Sequence, residues 1–114
     1  MTTPTSTAAD PRLDIARENL RMAAAKRDMN LSEISRRAGM SRNGLQQFVS
    51  GKTSLSYANM LKSCDALNIP IGLMHRKDAI TDTKLRLYRL LERLPDHLAA
   101  QALAEAEDLF QPRP

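Results

Sequence analysis

The chain has 114 residues, enough for one domain with an added element and too few for two sizeable cores. A hydrophobic fraction of 42% excludes wholesale disorder, and two Tyr, two Phe and no Trp fit a helical protein packed with Leu, Ile, Met and Ala better than a β-sandwich. The net charge of +4 is unevenly placed, with twelve Lys/Arg against six Asp/Glu in residues 1–77 and five against seven in 78–114.

The N-terminal stretch "MTTPTSTAADP" has neither a basic start nor an apolar core. It reads as a disordered tail over 1–11 rather than a secretory signal. Asp10 and Pro11 then suit the N-cap and first position of a helix. Residues 12–28 carry Leu13, Ala16, Leu20, Ala23, Ala24 and Arg27 at three- and four-residue steps, an amphipathic stripe. A short helix is expected over 33–38, capped by Ser32 and stopped by Gly39. Ser41 is expected to cap a third helix over 42–50, which ends at Gly51. Ser56 should cap a fourth over 57–67, with Ala58, Leu61, Cys64 and Leu67 as its apolar stripe. Pro70 can open a fifth over 71–77.

Pattern and charge both change at "KDAITD". Beyond it, Leu87, Leu90, Leu91 and Leu94 mark a sixth helix over 83–94, and Pro95 interrupts it. Leu98, Ala102, Leu103, Ala106 and Phe110 mark a seventh over 96–110. The expected fold is all-α, with residues 78–114 as a C-terminal helical hairpin. Its leucines either extend the core of the preceding domain or pair with a second copy. Leu87, Leu90, Leu91, Leu94, Leu98, Leu103 and Phe110 are then the candidate dimerisation residues.

The stretch between Glu33 and Asp65 contains no acidic residue but holds Arg36, Arg37, Arg42, Lys52 and Lys62. That fits a polyanion-binding surface or simply a solvated basic face. On a helical wheel of 42–50, Leu45, Phe48 and Val49 cluster on one side, while Asn43 and Gln47 lie nearly opposite with Gln46 and Ser50 beside them. Arg42 projects from the first turn. Arg can contact guanine with two hydrogen bonds, and Asn or Gln can do the same to adenine. Helix, glycine turn and polar-faced helix form the helix-turn-helix layout.

"LSEISRRAGMSRNGLQQFVSGKT" resembles the helix-turn-helix of the Cro/repressor (Xre-like) transcriptional regulators. The likeness extends through "LSYANMLKSCDALNIPIGLMH" and covers about residues 13–77. It rests on Ile34 and Ala38 as core positions, Gly39 in the turn, Ser41 as cap, Leu45 and Phe48 as inner positions, and Gly51-Lys52 after the recognition helix. The resemblance implies a five-helix lambda-repressor-like DNA-binding domain over 12–77. It places Arg42, Asn43 and Gln47 at base-reading positions, with Gln46 beside them on the wheel, and Asn30, Ser41, Ser50 and Lys52 near phosphates; Arg37, next to Arg36 near the end of the second helix, either contacts phosphate too or complements the helix dipole. The chain departs from the family's frequent residues at Leu31 (Gln), Ser35 (Ala) and Val49 (acidic). Gly44 costs about 1 kcal/mol in a helix interior. Either it lets the backbone come close to DNA or it relieves crowding against the preceding helix.

Nothing in the sequence points to an enzyme or a cofactor. His75 and His97 lack a second ligand at metal spacing, and no nucleophile elbow or phosphate loop occurs. Cys64, the single cysteine, sits on an apolar stripe and reads as a buried thiol, without an internal disulfide, in a reducing compartment. Five of the six methionines, Met22, Met29, Met40, Met60 and Met74, read as core fillers and helix contacts. No apolar run approaches the roughly 20 residues that cross a bilayer, and the 37 residues after 77 are few for enclosing a ligand pocket. The expected protein is a cytoplasmic, dimeric, sequence-specific regulator, most simply a repressor of a palindromic double-stranded operator. The other expectation is an antitoxin or adaptor whose hairpin binds a partner protein, with DNA binding autoregulatory.

Overall fold

The computed structural model describes residues 10–111, and these form seven helices and no strand. They are α1 (Pro11–Lys26), α2 (Leu31–Arg37), α3 (Gly44–Val49), α4 (Tyr57–Leu67), α5 (Ile71–Met74), α6 (Asp82–Arg93) and α7 (Asp96–Leu109). The chain divides into two compact units between Thr81 and Asp82. The divide lies four residues beyond the expected boundary, because Ala79 and Ile80 are buried in the first unit's segment. Of the tail expected over 1–11, only Asp10 and Pro11 fall within the described residues, and they cap and open α1.

Local chemistry accounts for the helix ends. The Asp10 carboxylate accepts the Arg12 N–H at 2.9 Å, with Pro11 in the position where no N–H is needed. Asn30 Oδ1 accepts the Glu33 N–H at 2.8 Å, so α2 starts two residues before the expected Glu33, with Asn30 rather than Ser32 as its cap. Gly39 takes a left-handed φ of +75° just after α2, and Met40 N–H returns to the Ser35 carbonyl at 2.9 Å. Ser56 caps α4 through the Asn59 N–H. Asn68, at φ 54°, provides its left-handed end.

α2 packs on α3 and α4, and α1 on α2, α3 and α5. Leu20, Ile34, Leu45, Phe48, Leu67, Met74 and Ile80 are the large, fully buried side chains between them. α1 holds this core by more than its apolar stripe, for its polar side chains reach the carboxyl ends of three other helices. Asn19 Nδ2 donates to Met74 O (2.7 Å) and Arg76 O (2.9 Å) beyond α5. Arg27 Nε donates to Leu67 O (2.8 Å) at the end of α4, which explains an arginine on the apolar side of α1. Arg17 Nε donates to Phe48 O (2.7 Å) at the end of α3. The donors reach carbonyls at or just past helix ends, where helical pairing runs out (Phe48 O also accepts the Gly51 N–H at 3.0 Å), and the arginines add charge where the helix dipole favours it.

Several expectations are corrected. The buried side of α4 is Met60, Ser63, Cys64 and Leu67, so Ala58 is exposed. Met22 is exposed and Met29 and Met40 are half-buried, leaving only Met60 and Met74 as buried methionines of the five. α5 is one turn, ending at Met74 rather than at residue 77.

In the second unit, α6 and α7 are joined through Leu94 and Pro95. They do not form a closed apolar hairpin. α7 has no buried residue and α6 buries only Leu85. Leu87, Leu90, Leu91, Leu98, Leu103, Leu109 and Phe110 are all exposed.

Candidate nucleic-acid interface

α3 is shorter than its sequence reading and begins at Gly44, not at residue 42. Arg42 and Asn43 form the turn that leads into it. Asn43 is the backbone N-cap and makes no side-chain cap bond, while the Ser41 carbonyl accepts the Gly44 N–H at 2.9 Å. The expected hydroxyl cap by Ser41 is therefore absent. A different serine does that work: Ser35 on α2, fully buried, accepts the Leu45 N–H through Oγ at 3.1 Å. This bond ties the start of α3 to the middle of α2 and fixes how the two helices meet.

The other end of α3 is held from α1. Arg17 donates to Phe48 O and lies 4.8 Å from the Phe48 ring centroid, a cation–π contact. Arg21 reaches Val49 O at 3.5 Å. With Leu45, Phe48 and Val49 buried, α3 is clamped at both ends and along its inner face. Its outer face is thereby presented to solvent in one orientation. Arg42, Asn43, Gln46 and Gln47 are all exposed there.

The residues assigned to phosphate positions fall into three places. Ser41 is exposed in the turn, and Asn30 is exposed at the start of α2. Asn30 and Arg42 line one shallow crevice together with Ser32, Glu33, Arg36 and Met40, so the start of α2 and the turn before α3 share a surface. Ser50 and Lys52 are exposed at the far end of α3, where the Ser50 hydroxyl and the Lys52 N–H both donate to the Gln47 carbonyl, at 3.1 and 2.9 Å. Arg37 lies elsewhere on α2, in an ion pair with Glu33. Glu33 Oε2 accepts from both Arg36 Nη2 and Arg37 Nε at 2.8 Å. Those hydrogen bonds, Arg36 first, hold the Glu33 carboxyl below its ordinary range.

Gly44 has a steric neighbour on the protein side. A Cβ built there would lie 2.8 Å from Met40 Cε, 3.3 Å from Met40 Cβ and 3.5 Å from Ser41 Oγ. Met40 Cε is the free end of a flexible side chain and can move aside, but the Met40 Cβ contact is tight, so the turn after α2 disfavours a side chain at this position without forbidding one. Because Gly44 opens α3 instead of lying inside it, the cost of an interior glycine does not apply in full.

Sequence reading missed four residues that shape this surface: Ser35, Arg17, Arg21 and Glu33. Three had visible signals. Ser35 stands where the resembling family often has alanine, and Arg17 and Arg21 are one helical turn apart on the flank of the α1 stripe. The long-range partners of these residues come only from the fold.

A helix pair joined by a tight glycine turn, the second helix polar outside and apolar inside, defines a helix-turn-helix DNA-binding domain. Residues 19–72 match the family model of the Cro/C1-type HTH DNA-binding domain, and this chain carries a domain of that type. No curated protein and no solved structure gives a significant match to the chain. Among the described residues no helix is long and apolar enough to cross a membrane.

Proposed function

We propose that the protein is a cytoplasmic, non-enzymatic, homodimeric repressor that reads a palindromic operator by inserting α3 into the major groove. The observation that carries this reading is the outer face of α3. Gln46 and Gln47 stand exposed on a helix locked at both ends, and Arg42 and Asn43 stand exposed in the turn that leads into it, inside a Cro/C1-type domain. Side chains on a rigid helix keep the geometry that two-bond contacts to guanine and adenine require. Asn30, Arg37, Ser41, Ser50 and Lys52 set the register on phosphates, and Arg37 exchanges its Glu33 partner for a phosphate on binding. Gly44 lies at the closest approach of the helix start to the groove. Leu87, Leu90, Leu91, Leu94, Leu98, Leu103 and Phe110 join the two copies.

Asn43→Ala and Gln47→Ala test the base-reading assignment. Asn43 makes no side-chain cap bond, so its loss leaves the helix start intact. Each substitution should cost about 1–3 kcal/mol at particular base pairs and relax preference there. Lys52→Ala should instead weaken all sequences alike and lower the salt slope by about one. Equal losses on operator and random DNA for Asn43→Ala and Gln47→Ala contradict the assignment.

A second reading, an antitoxin or adaptor that binds another protein through residues 82–110, is favoured by one observation. Among the described residues, seven of the nine exposed large hydrophobic side chains lie in that segment. Co-purification of a stoichiometric partner that orders this segment supports it; a self-associating chain with no such partner supports the repressor.

A further inference from the structure

The two helices of the second unit differ in charge as sharply as they agree in apolar content. α6 carries Lys84, Arg86, Arg89 and Arg93 against Asp82 and Glu92. α7 carries Asp96, Glu105, Glu107 and Asp108 and no Lys or Arg.

On the wheel, Leu87, Leu90, Leu91 and Leu94 share one side of α6, and Arg86 and Arg93 run along its Leu90 edge. Arg86, Leu87, Leu90 and Arg93 line one shallow groove, with an apolar floor and a basic rim. On α7, Leu98, Leu103, Leu109 and Phe110 share a side, bordered by Glu105 on one edge and Glu107 on the other. α7 also ends on carboxylates with no basic residue in its last turn, the reverse of what the helix dipole favours. A cation from a neighbour gains most at that end.

We propose that two copies of the chain associate crosswise, α6 of each against α7 of the other. The leucine faces meet at the centre, and the Arg86/Arg93 rim runs along one of the two acidic edges of the facing α7. This rests on the homodimer reading above and specifies its interface. A two-fold axis generates the α6–α7 contact twice, since each surface then meets its complement in the partner. Pairing α6 with α6, or α7 with α7, would set like-charged rims side by side. Within one chain α7 leaves the α6 leucines uncovered, with Leu87 54% and Leu90 53% exposed.

The test uses two full-length double variants, Arg86→Glu/Arg93→Glu and Glu105→Lys/Glu107→Lys, in sedimentation equilibrium and native mass spectrometry at low salt. Each variant alone should dimerise at least 10-fold more weakly than the unmodified chain. Mixed one to one, they should form a heterodimer of near-original affinity, because each reversed rim again finds its opposite. Unaltered dimerisation of either variant overturns the crosswise pairing, as does a mixture that stays monomeric. If a reversed chain loses helix by circular dichroism, Arg86→Gln/Arg93→Gln and Glu105→Gln/Glu107→Gln carry the same comparison. Each should weaken the dimer more at low salt than at high, and a salt-independent dimer overturns the proposal. An unmodified chain that remains monomeric at tens of micromolar instead overturns the homodimer reading itself.

Discussion

Replacing Ser35 with alanine removes one oxygen from the junction of α2 and α3. Its Oγ accepts the Leu45 N–H at 3.1 Å, and both residues are fully buried. Alanine fits the space, so no cavity forms, but the first turn of α3 loses a buried acceptor. Losing an N-cap side chain costs about 0.5–2 kcal/mol, and leaving a buried donor unsatisfied about 1–3 kcal/mol. These describe the same lost bond and do not add, so the expected destabilisation is about 1–2 kcal/mol. For a unit of this size it lowers the melting temperature by roughly 4–8 °C per kcal/mol. Ser41→Ala is the matched control. Ser41 is exposed, and its carbonyl rather than its hydroxyl supports the helix start. Its replacement should change stability by less than about 0.5 kcal/mol, as for an ordinary surface site. Urea unfolding followed by circular dichroism measures both. A neutral Ser35→Ala with a costly Ser41→Ala would restore Ser41 as the cap and refute the account of how α3 is anchored.

Arg17→Ala removes a charged hydrogen bond to Phe48 O and a cation–π contact, and should cost about 1.5–3 kcal/mol in urea unfolding; a loss under 0.5 kcal/mol would show that the α1 clamp on α3 is idle. Gly44→Ala should be less costly in a Met40→Ala background than in the unmodified chain, because the crowding atoms belong to Met40. Additive effects in that double-mutant cycle would remove crowding as the reason for glycine. Burial, and secondarily Asp65, pushes the Cys64 thiol up to about 12 from an ordinary 9. The folded state then holds a proton that the unfolded state releases, so stability is intact below pH 9 and falls as pH rises from about 9 toward 12. Cys64→Ala should flatten that alkaline loss, and the native thiol should react with a disulfide reagent at pH 8 only after urea is added. Prompt reaction in the native state would contradict its burial.

Much of this architecture is legible in the residues. Periodicity places the helices, and the glycines at 39 and 51 mark ends that require a left-handed residue. Leu45, Phe48 and Val49 identify the inner side of α3 by spacing alone. What the sequence hides has two physical sources. Local spacing points to the nearest hydroxyls, Ser32 and Ser41, as caps, whereas Asn30 caps α2 and the distant Ser35 caps α3. Local spacing carries no information about an acceptor ten residues away on another helix. Polar residues inside an apolar stripe were the second blind spot. Asn19 is buried because its amide reaches two carbonyls at and just past the end of α5, and Ser63 because its hydroxyl returns to Asn59 O. Each polar group is buried with a partner, as burial demands, and only the fold reveals the partner. The leucines of α6 and α7 spell an amphipathic pair, yet spacing cannot say whether such helices close on themselves. Here they remain open.

Base reading by α3 is what would make this protein a sequence-specific regulator. Selection from a random duplex pool, with the enriched DNA bound at two salt concentrations, tests it most directly. The expected product is a palindromic motif whose half-sites lie about one helical turn or a multiple apart, retained as salt rises. Weak binding that collapses with salt and enriches no motif would contradict it, leaving a basic surface that touches phosphates alone.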